Sequence, residues 1–264
     1  MREIRAKIEA AIKREVRQRC GFGCVVCGKP FYEYDHINEY SKVKEHEADN
    51  LTLLCPDHHA EKTRGLRSAD QVRDANAAPF NRRMGSSSPY RLAYGGTVSK
   101  VSIGSNSFVQ TMGSISEPLV LNGEPLVRVR TESGNLLVSA RLFDASGAVI
   151  LTIDDNELKY DTGIWDVEFV SDRLIVREAH RKILAKIVFS PPDSITVERA
   201  HFSHEGLSVQ VTAREILYRT KRGKLSISGN SVLDIPYPRG VVLTDENHEL
   251  GSLPAAINVP VRVG

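Results

Sequence analysis

Cys24 and Cys27 form a Cys-x-x-Cys pair, and Cys55 and His58 form a Cys-x-x-His pair after a 27-residue insert. Two-residue spacing lets both side chains of a pair reach one tetrahedral ion, and two such knuckles close a structural Zn2+ site. The same stretch holds a second donor set that this site does not use: Asp35, His36, Asn50 and His59. One carboxylate and one imidazole suit a harder divalent cation and leave most of its coordination positions open. A further imidazole, titrating near ~6.5 when unperturbed, can take a proton from water around neutral pH.

These residues need elements to hold them. Ile4, Ile8, Ile12 and Val16 recur every four residues among Lys, Arg and Glu, which predicts an amphipathic helix over residues 2–18. The glycines of Cys20-Gly21-Phe22-Gly23 end it. A short strand over residues 32–37 carries Asp35 and His36, and residues 50–54 (NLTLL) form a second extended piece. Neighbours on a strand point to opposite faces, so Asp35 and His36 cannot both face one ion unless the strand bends or ends there. Pro56 suits the first turn of a helix reaching about Gly65. Adjacent helical residues differ by about 100°, so His58 and His59 can serve different ions, and the mirrored spacing gives the structural role to His58. Thr63 lies one turn beyond His59 on the same face. Ser68 reads as the N-cap of a further helix ending near Ala77. Cys20 reads as a structural thiol and His46 as a solvated loop residue.

The pattern CGFGCVVCG…YDHI…DNLTLLCPDHHAEKT resembles the HNH endonuclease family over roughly residues 15–75. The resemblance implies a ββα-metal core that hydrolyses phosphodiester bonds in double-stranded DNA. By it, His36 stands in the place of the general base, and Asp35 in that of a ligand to a catalytic Mg2+ or Mn2+. Asn50 stands where the family ties down the loop bearing the base, and His59 where it has the second protein ligand. Some members carry Cys in place of His58, and related nucleases, the colicins among them, carry a His in place of Thr63. The chemistry is consistent, because a divalent cation offsets the charge that makes a phosphodiester hard to attack. Members serve in bacterial and phage defence, restriction and mobile-element biology. Two other readings stay open: a non-catalytic zinc module that binds nucleic acid, and a nuclease acting on RNA.

A phosphate-rich partner needs positive charge outside an acidic metal pocket. Lys62, Arg64 and Arg67 beside the second helix, and Arg14, Arg17 and Arg19 on the first, are the candidate contacts. Arg82 and Arg83 could also reach a backbone. Such contacts position the polymer and carry little base information.

Past the Pro/Gly/Ser-rich stretch APFNRRMGSSSP the texture changes to alternation with a period of two, as in Ile183/Ala185/Ile187/Phe189. Asn122-Gly123, Ser133-Gly134 and Gly229-Asn230 mark turns. The expected fold class is therefore α+β: an N-terminal zinc-stabilised ββα domain over 1–84, a linker over 85–97, and a mainly β domain over 98–264. A sandwich, a roll and a short β-solenoid all fit that half. Its cations (Arg128, Arg130, Lys182, Arg219, Lys221, Arg222, Lys224) could guide DNA, contact a protein partner or second copy, or sense a ligand.

The charged share of 26% and apolar share of 41% describe an ordinary soluble composition. No apolar run approaches the roughly 18 residues that span a bilayer, and the N-terminus is too charged for a signal peptide. All four cysteines fall within the first 55 residues, which favours metal binding in a reducing cytoplasm over disulfides.

Overall fold

The computed structural model describes residues 7–38, 40, 46–111, 113–220, 223–234, 236–245, 248 and 252–261. The first residues of the expected N-terminal helix, and Lys221 and Arg222, lie outside them. The chain divides into two compact units, residues 1–90 with 161–170, and residues 91–160 with 171–264.

In unit 1, helix α1 spans Ala10–Cys20; Val16 is buried, and Ile8 and Ile12 pack against the same core. Gly21 takes the left-handed conformation (φ 70°) and stops the helix, its N–H donating back into the last turn. A tight knuckle follows, in which the Gly28 N–H reaches the Cys24 carbonyl at 2.7 Å. Gly28 has φ +76°, and a Cβ there would lie 2.2 Å from Asn81 Oδ1, so a side chain is excluded twice over. Strands β1 (Glu33–His36) and β2 (Leu51–Leu54) pair antiparallel, with Asp35 opposite Thr52 and His36 opposite Leu51. A 3-10 turn over Ala48–Asn50 delivers Asn50 to the start of β2.

Helix α2 (Pro56–Thr63) follows β2 at once, with Pro56 in the first turn, where its missing N–H is not needed. Helix α3 (Ala69–Ala77) opens on a capping box in which Ser68 and Gln71 exchange hydrogen bonds. Val25, Leu51, Leu53, Leu54 and Val72 close the core over Val16 and Cys20. The Pro/Gly/Ser-rich stretch after Ala77 is not featureless. It holds helix α4 (Phe80–Met84), and the fully buried Asn81 donates to the Gly21 carbonyl at 2.9 Å. Residues 161–170 return to this unit from far along the chain.

A short strand β3 (Tyr90–Arg91) marks the boundary, and the strand β11 (Asp166–Val170) belongs to unit 1. Unit 2 contains β4 (Val98–Ile103), β5 (Asn106–Thr111), β6 (Ile115–Leu121), β7 (Glu124–Glu132), β8 (Asn135–Phe143), β9 (Val149–Asp154) and β10 (Glu157–Tyr160). It continues with β12 (Arg173–Ala179), β13 (Lys182–Ser190), β14 (Ser194–His204), β15 (Leu207–Val211), β16 (Ile216–Thr220), β17 (Gly223–Ile227), β18 (Ser231–Leu233), β19 (Arg239–Asp245) and β20 (Ala255–Val261).

One sheet runs β20-β19-β6-β7-β8-β9-β10, and the other runs β12-β13-β14-β15-β16-β17. The sheets meet where β8 reaches β14 and β15 reaches β19. Among the described residues successive antiparallel hairpins dominate, with parallel pairing at β4–β14, β5–β18, β6–β19 and β19–β20. The stacked parallel coils of a solenoid are therefore not what the alternation builds. Asn122-Gly123 and Ser133-Gly134 both hold two consecutive positive φ values, the twist that tight two-residue hairpins require. Among the described residues, no helix is long and apolar enough to cross a membrane.

Candidate metal centres and active site

The knuckle after α1 and the first turn of α2 bring Cys24, Cys27, Cys55 and His58 together, with all four ligand atoms within 4.8 Å of one another. Cys27 Sγ lies 3.8 Å from Cys55 Sγ, and His58 Nδ1 lies 3.3 Å from Cys24 Sγ and 3.2 Å from Cys55 Sγ. Thiolates at ~2.3 Å from a tetrahedral centre sit about 3.8 Å apart, so the donor set fits a zinc ion. The sulfurs already act as a set: the hydrogen bond with Cys27 pulls Cys24 down to about 4, and the same bond pushes Cys27 up. Cys20 stands apart from this cluster. It is fully buried, and burial pushes its thiol up to about 11, so it is an inert core side chain.

The hard donors meet between β1 and α2. Asp35 Oδ1 lies 3.5 Å from His59 Nε2, while His59 Nδ1 faces Glu33 Oε2 at 3.3 Å. Cis ligands to one cation at ~2.1 Å are about 3 Å apart, so Asp35 and His59 need only a small adjustment to share one. Glu33 lies on the Nδ1 side of the ring, and Nε2 is the nitrogen that faces Asp35. Glu33 belongs to the acidic run of residues 31–50 in the sequence, and its place two residues before Asp35 puts it on the same strand face. Thr63 donates its hydroxyl to the His59 carbonyl at 2.9 Å.

His36 follows the strand alternation. It is buried, its Nε2 lies 3.1 Å from His46 Nδ1, and its ring is tilted against Tyr40 and His46 at 5.1 Å. His46 is thus a partner of His36 rather than a solvated loop residue, a contact made by the fold of the insert and marked by no local pattern. Asn50 accepts the Asn38 N–H at 2.8 Å and donates to the Asn38 carbonyl at 3.2 Å. Both ends of its amide therefore clamp the chain two residues past His36.

The six basic side chains separate sharply. Arg17 is buried and binds Asp166 through two nitrogens at 2.8 and 2.7 Å, with further bonds to Tyr34 Oη and Glu168. It is a structural ion pair and not a phosphate contact, because the guanidinium is buried with four of its five N–H groups already bonded. Arg19 is spent on the Ala48 and Leu51 carbonyls at 2.7 and 2.6 Å. Lys62 turns inward, its ammonium 2.5 Å from Asp35 Oδ2 and bonded to the His36 carbonyl. Arg67 pairs with Glu61 at 2.8 Å. Arg14 lies over the Trp165 ring at 5.4 Å. Arg64 is exposed and has no ion pair among the described residues.

Two antiparallel strands and a helix, braced by a thiolate–imidazole tetrad and presenting a carboxylate–imidazole pair, define a ββα-metal domain. Residues 24–65 match the family model described as HNH endonuclease, so this segment carries a domain of the nuclease type. No curated protein and no solved structure matches the chain.

Proposed function

We propose that the chain is a metal-dependent endonuclease that hydrolyses phosphodiester bonds in double-stranded DNA, working in the cytoplasm. The observation that carries this reading is the approach of Asp35 Oδ1 to His59 Nε2 at 3.5 Å within the matched segment. A divalent cation, Mg2+ or Mn2+, held by these two side chains would offset charge on the scissile phosphate and on the leaving oxygen. Asp35 and His59 would hold it with few protein ligands, which would leave room for the substrate. The Glu33 carboxylate on the Nδ1 side of the His59 ring would help hold that ring toward Asp35.

His36 takes the proton of the attacking water, and the His46 and Tyr40 rings beside it restrict its rotation. Asn50 contributes through position: by fixing the Asn38 backbone it fixes the end of the strand that carries His36. Lys62 balances the Asp35 carboxylate. Cys24, Cys27, Cys55 and His58 would hold Zn2+, which would lock the knuckle to α2 and supply no chemistry to the reaction. Arg64, exposed at the end of that helix, is left to meet a phosphate.

Purified protein incubated with supercoiled plasmid tests the reading. Nicking should require added Mg2+ or Mn2+, stop with EDTA, and fall by at least about a hundredfold in His36→Ala, the usual worth of a general base. Zinc content and the far-ultraviolet spectrum of that variant should be unchanged. Plasmid bound but never cut under any of these metals would sink it and leave a binding module.

A further inference from the structure

Unit 2 carries an open trough of about 410 Å3 on the face of the β12–β17 sheet, and its charge is one-sided. The strand register fixes its plan. His201 pairs with Gln210, and Gln210 with Leu217, so these three form a neutral row across β14, β15 and β16. Arg199 stands two residues from His201 along β14, on the same face. Arg219 stands two residues from Leu217 along β16, also on that face, and Arg181 and Lys182 rise from the β12–β13 turn. Four cations therefore surround a neutral floor, against a single acid, Glu178, which is taken by Lys182 at 3.0 Å. Among the described residues, Arg181, Arg199 and Arg219 have no acidic partner.

Elsewhere in the same unit the pattern is the reverse. Arg128 pairs with Glu117 at 2.8 Å, Arg130 with Asp155 at 2.5 Å and Arg141 with Glu124 at 2.7 Å. Paired arginines on one sheet and unpaired ones around a concavity on the other are not the mixed charge of an ordinary solvated face.

We propose that this trough binds the phosphodiester backbone of a nucleic acid, a contact separate from the metal centres. The inference rests on the reading of the chain as a nuclease for its choice of ligand. Spacing favours a polymer over a lone phosphate: β13 to β16 span three strand intervals, roughly 14 Å, the rise of about four nucleotides along one strand. Arg199 and Arg219 lie on opposite sides of that row, two strands across and four residues along, roughly 16 Å apart, too far to converge on one phosphate. Gln210 and His201, both exposed, offer hydrogen bonds to sugar or base between them.

The test uses the full chain carrying His36→Ala, so that the probe is not cut, and the fluorescence anisotropy of a labelled DNA duplex. Arg199→Ala with Arg219→Ala should weaken binding at least about tenfold at low salt and lower the slope of log affinity against log salt by about two. Arg199→Lys with Arg219→Lys should keep most of that slope, and Arg128→Ala with Arg141→Ala should leave affinity within about twofold. Unchanged affinity and slope in the double-alanine variant would overturn the proposal. So would a mononucleotide that competes as tightly as the duplex binds, since that describes a small-ligand site. Plasmid nicking by the chain with His36 intact separates the two ideas. Nicking with an unchanged slope removes the trough and keeps the nuclease; a reduced slope without nicking keeps the trough and removes the nuclease.

Discussion

Lys62 shows how far a single side chain can depart from what its neighbours suggest. Beside a helix facing phosphate it looks like a backbone contact, yet its ammonium sits on Asp35 and the His36 carbonyl. A fixed positive charge there opposes a divalent cation sharing the same carboxylate, by an amount that partial burial and solvent screening hold to ~1–2 kcal/mol. Lys62→Met should therefore raise Mn2+ affinity about tenfold, measured by calorimetry or by the loss of the free-ion resonance signal. Equal affinity in the two proteins would show that the ammonium swings clear when the cation arrives. His46 teaches the same lesson. Its sequence surroundings mark it as an ordinary loop residue, and only the course of the insert sets its ring against His36.

At the scale of elements, α1 is anchored by a buried ion pair. Arg17, on its buried face, closes on Asp166 from the returning segment, both side chains almost without exposure. Removing one partner leaves a buried charge alone, so Arg17→Ala should cost ~3–5 kcal/mol in urea denaturation. Arg17→Met with Asp166→Leu should recover most of that loss, because the desolvation cost goes with the charges. In unit 2, His248 joins two turns by hydrogen bonds to Asp245 at 2.8 Å and Glu205 at 2.6 Å, and those bonds raise its pKa above 6.5. The charged ring is the bonded form. Its contribution is thus complete below the ordinary histidine value and disappears as pH climbs through the raised one. Nuclear magnetic resonance titration should place the His248 midpoint above ~6.5, and Glu205→Gln should lower it.

Over the whole molecule, the two units depend on different forces. Unit 1 has a modest apolar core and a tetrad whose donor set fits zinc; unit 2 has broad sheets with alternating buried residues. Structural zinc sites are worth ~10–16 kcal/mol of apparent binding energy, which in small domains is folding energy. His58→Ala should therefore release zinc and abolish the ordered signals of residues 20–66 while the β-sheet spectrum of unit 2 survives. Retention of both zinc and order would remove His58 from the tetrad.

Short-range spacing in the sequence determined the tetrad, the capping box at Ser68, the helix stop at Gly21 and the tight turns at Asn122-Gly123 and Ser133-Gly134. Each of these depends on geometry within a few residues, which a period or a pair of glycines expresses directly. It also placed His59 on a helix that follows β2 after one residue, and Asp35 comes beside it because β1 pairs with β2. Tertiary structure alone decided which cations are free. Arg17 is consumed by a residue 149 positions away, and the arginines around the trough share a face because of cross-strand register. Charge pairing depends on which long-range partners arrive, and no local pattern encodes that.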